Sequence, residues 1–376
     1  MKLVTSVFVF CVAALLSLGL VVLYSSSMGR SGASYPLMQT LWCGLGIAVA
    51  ALVACLDYRH LKKVAWPLYG LAVVSLVLVL IPGIGKSANG ASRWFVIHGQ
   101  SFQPSELAKL GLVVLLAFYG DRYQRHMPTW RRGLLIPGLL VSLVLGLVFL
   151  EPDWGTTLLL ASVSGVVLLV AGVRWRYLVP VGALGAVAFG FALLHDPTRL
   201  SRLLSWLNPE QTKDGVGYQA WQAMLALGSG GLTGTGLGNG IQKYGYVPEH
   251  LTDFIFAMLG EELGLVCTLG VLSAFVVLLL CGAYIAWNAR EPFGMLLASG
   301  LTFLIGLQAF VNIGVVTSAL PNKGLPLPFI SRGGSNLLFM LICVGLLLSV
   351  ARKATDRQRA EVPLVDLDEA SAPQTS

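Results

Sequence analysis

Apolar stretches of about twenty residues, separated by shorter polar segments, follow one another along almost the whole chain. A helix of that length spans the hydrocarbon core of a bilayer. The pattern predicts ten such helices, at 4–24, 36–56, 64–82, 104–120, 134–150, 156–173, 178–195, 254–287, 293–318 and 336–351. The predicted fold is all-α: a polytopic membrane protein with about ten transmembrane helices and a large extracytoplasmic loop, 196–253, between helices seven and eight.

Composition supports a single membrane domain without soluble units. Hydrophobic residues make up 56% of the 376 residues and charged residues only 11%, against about 25% charged residues in a typical soluble domain. The first apolar stretch, from Leu3 to Tyr24, exceeds the apolar region of a cleaved signal peptide, so we expect it to remain as a helix. We expect 1–353 to form the membrane domain and 354–376, rich in acidic residues, Ser and Pro, to be a disordered cytoplasmic tail.

The net charge of +7 follows from topology and does not indicate a nucleic-acid partner. If the N-terminus lies inside, the inner loops and the tail carry 15 of the 25 Lys and Arg residues, crowded into short segments. The positive-inside rule then places both termini in the cytoplasm. The same topology directs the polar segments 89–106, 151–157, 196–253 and 321–335 outward. Because these segments combine Pro, Gly, Trp and paired charges, we expect one site at the outer membrane boundary.

The strongest chemical candidate in these segments is Asp253. It follows Glu249 and His250 where a long polar loop enters an apolar helix. An ionisable group at the edge of a membrane indicates a functional role. The alternative is that Asp253 and Thr252 only cap the helix N-terminus. Burial would raise the pKa of the Asp253 carboxyl and a helix N-terminus would lower it, and both possibilities stay open here.

Other charged positions also allow two interpretations. Glu106 and Lys109 lie three residues apart at the start of a predicted helix, so they can form an ion pair. That pair either neutralises charge within the fold or contacts a substrate, and we expect the substrate contact. Glu151 and Asp153 flank a proline turn, where helix capping and packing are favoured over catalysis.

Two features constrain the large loop and the helix after it. The glycine-rich run at 228–240 lacks a preceding strand, which argues against a dinucleotide-binding loop and favours a bendable loop. The apolar stretch 254–287 would measure about 50 Å as one helix, well beyond a bilayer core of about 30 Å. Its outer end, with Glu261 and Glu262, is therefore expected to lie within the protein or beside a water-filled cleft.

Six motifs, taken together and in order, resemble the SEDS (shape, elongation, division and sporulation) family from the first helix to the last. They are Asn89–Trp94, Gln103–Lys109, Glu151–Thr157, Gly217–Gln219, Thr252–Gly264 and Lys323–Ser335. The Gln242-Lys243 pair and the run Pro321–Phe329 are more similar to the division member than to the elongation member. Arg332 departs from the family, which usually has an aromatic residue there, and His250-Leu251 shifts the usual histidine position.

The resemblance implies a peptidoglycan glycosyltransferase that polymerises lipid II at the outer face of the bacterial cytoplasmic membrane. It also implies a class B penicillin-binding transpeptidase and other divisome membrane proteins as partners. Asp253, at the end of the loop 196–253, matches the aspartate that is catalytic in the family.

Glycosyl transfer from a polyprenyl pyrophosphate requires a base for the acceptor hydroxyl and positive charge for the leaving group. Asp253 suits the role of base. A divalent cation, Mg²⁺ or Mn²⁺, could share the work through oxygen ligands such as Asp253 and Glu249, although no His/Cys cluster specifies one. The candidate substrate-binding residues are Arg93, Trp94, Glu106, Lys109, Gln219, Gln242, Lys243, Glu249, Lys323 and Ser331, with Arg332 as a further cation.

Two other functions fit part of the pattern. A flippase or transporter of the same lipid would explain Glu106 and Lys109, but the first, second and tenth predicted helices lack a continuing polar pathway. A non-catalytic divisome scaffold would need no catalytic Asp253.

Overall fold

The computed structural model describes residues 1–27, 34–88, 91–97 and 100–360. All ten predicted membrane helices form helices there, and two further helices lie in the large loop. In chain order the helices are α1 (Lys2–Ser27), α2 (Ser34–Cys55), α3 (Leu61–Leu80), α4 (Pro104–Arg122), α5 (Ile136–Leu150), α6 (Trp154–Val170), α7 (Trp175–His195), α8 (Pro197–Leu207), α9 (Tyr218–Gly230), α10 (Ile255–Trp287), α11 (Pro292–Val316) and α12 (Gly334–Ala360). The all-α class is confirmed.

Within the described residues, eight helical segments are long and apolar enough to cross a membrane. The other two predicted spans correspond to α4, which contains Glu106 and Lys109, and to α6, which is only 17 residues long. Helix α4 is buried along nearly its whole length and packs against α3, α6 and α11. Helix α7 buries none of its residues, so its apolar side chains face outward, as expected of a helix surrounded by lipid.

A small antiparallel sheet lies between α3 and α4, where the sequence predicted only a loop. Its strands are β1 (Lys86–Ala88), β2 (Ala91–Ile97) and β3 (Gln100–Phe102), in the order β1-β2-β3. The register pairs Ser87 with Ser92 and Val96 with Ser101. The β-branched and aromatic residues of β2 explain the strand, but seven residues are too few for a clear sequence signal. Asn89 and Gly90 of the first motif lie outside the described residues.

The C-terminal helix is longer than predicted. Helix α12 continues to Ala360, so the predicted start of a disordered tail at 354 is wrong. Residues 361–376, the rest of the predicted tail, lie outside the described residues.

Helix α10 contains a sharp kink at Gly264, which divides its 33 residues into a short outer part and a long inner part. Gly264 has φ 74°, a backbone conformation that residues with a Cβ rarely adopt. The glycine-rich segment after α9 packs into the kink: Leu265 N–H donates to Gly231 O at 2.9 Å, and Gly236 N–H donates to Glu262 O at 3.0 Å. Glu261 and Glu262 are 3% and 1% exposed, so the outer end of this span lies within the protein, as predicted.

Replacement of Gly264 with Ala is expected to destabilise the fold. A Cβ there would lie 2.3 Å from Gly234 N and 2.5 Å from Leu232 O, so backbone must move. We expect a loss of about 1–3 kcal/mol in stability, measured as a lower thermal unfolding temperature of the purified protein in detergent. The matched control is Gly270→Ala on the same helix, where a Cβ meets nothing within 4 Å. Equal stability of both variants would show that the kink does not depend on glycine.

Candidate functional site

Asp253 lies in a tight turn immediately before α10. Glu249, with φ 55°, starts the turn, and its carbonyl accepts hydrogen bonds from Thr252 N at 3.1 Å and Phe254 N at 3.3 Å. Phe254 occupies the N-cap position, and no side chain caps the helix. The interpretation of Asp253 as a helix cap is therefore wrong, and its carboxylate is free for another role.

The proline- and glycine-rich turn between α11 and α12, residues 321–332, folds back onto Asp253. Asn312 Nδ2 donates to Asp253 O at 2.8 Å and to Leu325 O at 2.6 Å, which joins the two segments. A Cβ at Gly324 would lie 2.7 Å from Asp253 Oδ2, so the chain passes directly over the carboxylate. Two of the polar segments that were expected to share one outer site, 196–253 and 321–335, are therefore in contact here.

Ser331 holds the other end of this turn. Its hydroxyl donates to Thr252 O and accepts a hydrogen bond from Leu327 N at 2.8 Å, and it is 4% exposed. The next residue, Arg332, donates its N–H to Leu251 O at 2.9 Å, and its guanidinium lies over the Tyr35 ring at 3.5 Å. The Ser331 hydroxyl is thus bound to backbone groups in this structure, and its expected substrate contact stays a prediction.

A cleft of about 400 Å³ opens beside this turn, and Gly324 forms part of its wall. Gly324 thus separates the cleft from Asp253. Four cationic side chains line the cleft: Arg93, Arg199, Arg202 and Lys323. Two carboxylates, Asp153 and Asp196, and the rings of Trp154 and Phe189 complete the lining. The excess of positive charge in this lining suits a ligand with several negative charges.

Two of these arginines anchor the turn between α5 and α6. Arg93 Nε donates to Glu151 O at 2.8 Å and its Nη2 donates to Pro152 O. Arg199 also donates to Pro152 O, at 3.3 Å, and its guanidinium lies 4.0 Å from the centre of the Trp154 ring. Asp153 caps α6 by accepting from Thr156 N at 3.1 Å, which confirms its predicted capping role.

Lys323 has no carboxylate partner within the described residues. Its Nζ lies 5.0 Å from the centre of the Phe189 ring, and partial burial lowers the pKa of the ammonium group. An anion bound in the cleft would replace the lost hydration, so Lys323 is poised to bind one.

Burial dominates the ionisation of Asp253. Desolvation, reinforced by the nearby charges of Glu249 and Asp153 and opposed by Arg93, raises the pKa of Asp253 to about 7. A carboxylate with that pKa accepts protons efficiently near neutral pH. Glu151, beside Asp153 in the α5–α6 turn, is fully buried with neither carboxylate oxygen hydrogen-bonded, and desolvation, followed by the charge of Asp153, raises its pKa to about 8.

Glu106 and Lys109 form the predicted ion pair, at 2.7 Å, but inside the helix bundle and not in the cleft. They are 3% and 2% exposed. Lys109 Nζ also donates to Gln308 Oε1 at 2.8 Å, and Gln308 Nε2 donates to Pro326 O at 2.9 Å. In this structure the pair supports the turn 321–332 through Gln308, and the expected substrate contact of Glu106 and Lys109 stays a prediction.

Lys243 and Gln242 are also absent from the cleft. Lys243 forms a buried ion pair with Glu262 at 2.7 Å and donates to Gly238 O at 2.7 Å, and it borders a separate cavity next to Tyr24. The N–H of Gln242 donates to Glu261 Oε1 at 3.2 Å. Lys243 and Gln242 therefore hold the glycine-rich segment against α10, away from the cleft, and their expected substrate contact stays a prediction.

The remaining candidates lie near the site with different roles. Gln219 Nε2 donates to Pro248 O at 2.9 Å and its Oε1 accepts from Asn322 Nδ2 at 3.2 Å, so it ties the Asp253 turn to the 321–332 turn. Glu249 accepts from Thr252 Oγ1 at 2.9 Å and lies at the surface. Trp94 lies in the sheet, paired with Lys86, and does not line the cleft.

Arg199 and Arg202 are cleft residues that sequence analysis missed. They lie on α8, inside the segment predicted as a loop, and the start of that helix carried a recognisable signal. Asp196 caps it through Thr198 N at 3.1 Å, and Pro197 occupies the first turn. With the helix recognised, two arginines three residues apart share one face.

No group of three or more His, Cys, Asp or Glu side chains in the described part of the chain is arranged to hold a metal ion. Asp253 and Glu249, the predicted oxygen ligands, interact electrostatically. Mg²⁺ is typically bound by one or two carboxylates together with substrate phosphates and water, so the divalent cation stays a prediction.

The chain is similar in sequence to a known protein family and its members. The model of the FtsW/RodA/SpoVE family, described as "Cell cycle protein", matches residues 5–356. A probable peptidoglycan glycosyltransferase FtsW of Geobacter sulfurreducens is 40% identical over 346 residues, covering 90% of this chain and 93% of the relative.

Two solved structures are also similar. One is a chain from a study of the structural coordination of polymerization and crosslinking by a peptidoglycan synthase complex. It has a TM-score of 0.79 and 34% identity, with 92% of this chain and 97% of that chain covered. The rod shape determining protein RodA of Thermus thermophilus has a TM-score of 0.70 and 32% identity, with 92% and 96% covered.

The Glu106–Lys109 pair yields a stability prediction. Lys109→Met alone leaves the Glu106 carboxylate buried without its cation, which costs about 3–5 kcal/mol. Adding Glu106→Gln removes the stranded charge and keeps an acceptor for Asn336 Nδ2, now 3.1 Å from Glu106 Oε1. We expect the double variant to recover most of the thermal stability lost in Lys109→Met. A double variant as unstable as the single one would show that the pair is not mainly a neutralising contact.

Proposed function

The chain belongs to the FtsW/RodA/SpoVE family of cell cycle proteins, and on that premise we propose that it is a peptidoglycan glycosyltransferase that polymerises lipid II during cell division. The family resemblance stated from the motifs is confirmed. Similarity to a relative named FtsW supports the division role, and similarity to a peptidoglycan synthase structure supports polymer synthesis.

One observation carries the mechanism: Asp253, with a pKa raised to about 7, lies behind Gly324 at the wall of a cleft lined by four cations. In the proposed reaction Asp253 removes the proton from the 4-hydroxyl of the acceptor sugar. The resulting oxygen attacks C1 of the donor sugar. The C1–O bond to the lipid pyrophosphate breaks, and the pyrophosphate leaves with the bonding electrons.

The cations of the cleft stabilise that leaving group. Lys323 is the main candidate, because it is partly buried and has no carboxylate partner in the described structure. Arg202 lies on the exposed side of α8 and extends the positive surface. Arg93 and Arg199 donate to backbone carbonyls, so they position the α5–α6 turn. Their positive charge stabilises the leaving group through its electric field and not through a direct hydrogen bond.

The membrane setting follows from the charge pattern. The protein is multi-pass. In our proposal it lies in the bacterial cytoplasmic membrane with both termini in the cytoplasm, since the short loops at the end opposite Asp253 hold most Lys and Arg residues. The site then faces outward, where a class B penicillin-binding transpeptidase and other divisome proteins complete the assembly. The similarity to a chain of a synthase complex supports that partner.

A divalent cation remains a proposal. Asp253 and Glu249 would supply one or two of its ligands and the substrate pyrophosphate the others. Bound there, Mg²⁺ or Mn²⁺ would neutralise charge on the leaving group.

Incubation of the purified protein with labelled lipid II tests the proposed function. A polymerase gives glycan strands, a transporter in vesicles moves lipid without polymer, and a scaffold gives neither. We expect wild-type protein to form polymer and Asp253→Asn to form none, while inserting normally and retaining its partner. Asp214→Asn, an exposed loop residue, is the control for charge removal and should keep full activity. Polymer made by purified Asp253→Asn would refute the assignment of the base.

The pH dependence follows from the ionisation of Asp253. A base acts as its anion, so kcat/KM should be low at acid pH, rise through about 7 and then level off. Glu249→Gln removes a like charge that raises the pKa of Asp253, and should shift the midpoint to lower pH. Glu210→Gln, an exposed control, should not shift it. A midpoint below pH 5, or one unaffected by Glu249→Gln, would contradict this account.

Lys323→Ala is expected to weaken lipid II binding and turnover about tenfold or more, through loss of one desolvated charge contact to pyrophosphate. Its thermal stability should change little, because no carboxylate within the described residues depends on it. Lys213→Ala, exposed in the same large loop, is the control. Unchanged binding across several salt concentrations would leave Lys323 as an ordinary surface charge.

A further inference from the structure

A second basic cavity, of about 460 Å³, lies at the end of the bundle opposite Asp253. It is formed where α4 ends, α5 begins and α3 passes alongside. Three arginines line it, Arg122, Arg131 and Arg132, together with aromatic residues that include Trp66 and Tyr123. The proposed glycosyl transfer does not use this cavity.

The arginines are held by an unusual local structure. A π-helical segment, Trp130–Leu135, precedes α5 and carries Arg131 and Arg132. The segment needs glycine at 133, because a Cβ there would lie 1.9 Å from Met127 O. The Tyr119 hydroxyl donates to Arg132 O at 2.9 Å, and the Arg132 guanidinium lies 5.5 Å from the centre of the Tyr123 ring.

No acidic side chain lines the cavity, and none of the three arginines forms an ion pair within the described residues. The neighbouring carboxylate, Asp121, is already bound by Lys62 Nζ at 2.8 Å. The cavity therefore carries unneutralised positive charge that attracts an anion.

The cavity is continuous with apolar surface on α3 and α5. Trp66 on α3 is 50% exposed, and Ile136 and Leu139 on α5 are 37% and 63% exposed. These side chains belong to helices long enough and apolar enough to span a bilayer, so we expect them to face acyl chains. An occupant must therefore combine an anionic head with an apolar body.

We propose that this cavity binds an anionic glycerophospholipid of the cytoplasmic leaflet, with its phosphate against Arg122, Arg131 and Arg132. Its acyl chains lie along the exposed faces of α3 and α5. Basic pockets between membrane helices on the cytoplasmic side are suited to such headgroups. The positive-inside topology places this end of the bundle in that leaflet.

Phosphatidylglycerol is the probe for this site. Full-length protein purified in detergent is titrated with phosphatidylglycerol, and bound lipid is counted by native mass spectrometry. Phosphatidylcholine serves as the zwitterionic comparison and sn-glycerol 3-phosphate as the headgroup without chains. We expect saturable binding of phosphatidylglycerol, much weaker binding of phosphatidylcholine, and no appreciable competition by glycerol phosphate.

Arg131→Gln with Arg132→Gln should weaken phosphatidylglycerol binding by about tenfold or more, since each basic residue near a headgroup contributes to its attraction. The control is the double variant Arg125→Gln with Arg174→Gln. It also removes two positive charges at this end of the bundle, but neither residue lines the cavity. Thermal unfolding in detergent verifies that both double variants are folded. Equal binding of both lipids, equal losses in the two double variants, or full competition by glycerol phosphate would each overturn the proposal.

Discussion

The free-energy cost of burying charged side chains determines how the segments around the site are held together. Two ion pairs are almost completely buried, Glu106–Lys109 and Lys243–Glu262, both at 2.7 Å. A single ion in such a place costs several kcal/mol, about as much as a good pair returns. Each pair therefore holds in place the chain segments that contain or contact its two residues. The first supports the turn 321–332 through Gln308, and the second clamps the glycine-rich segment onto the kink of α10.

Two charged groups at the site, Asp253 and Lys323, differ from these pairs because neither forms an ion pair within the described residues. The Asp253 carboxylate and the Lys323 ammonium are both partly desolvated, with pKa values moved toward neutrality. They lie on the two segments that Asn312 joins. In the proposed mechanism, desolvation makes Asp253 a better base and Lys323 a better anion-binding group, so the cost of burial that ion pairs offset elsewhere in the bundle serves the reaction here.

The sequence predicted the helices well because the bilayer demands about twenty apolar residues per span. It also predicted the Glu106–Lys109 pair and the capping role of Asp153, since both depend on spacings of three residues. The sequence alone could not distinguish charged residues that line the cleft from charged residues buried in ion pairs. Lys243 lies in a polar loop, and only the tertiary structure brings Glu262, on another element, to it. Arg199 and Arg202 were missed because the whole segment 196–253 was interpreted as a loop, although α8 has an Asp-Pro start and an amphipathic pattern that predict a short helix.

The most direct test of the account is a structure of the complex with a non-hydrolysable lipid II analogue. It should place the pyrophosphate in the cleft against Lys323, with the acceptor 4-hydroxyl within hydrogen-bond distance of an Asp253 carboxylate oxygen once Gly324 and its turn have adjusted. A headgroup bound instead in the separate cavity beside Tyr24 and Lys243, with Asp253 remote from both sugars, would contradict it.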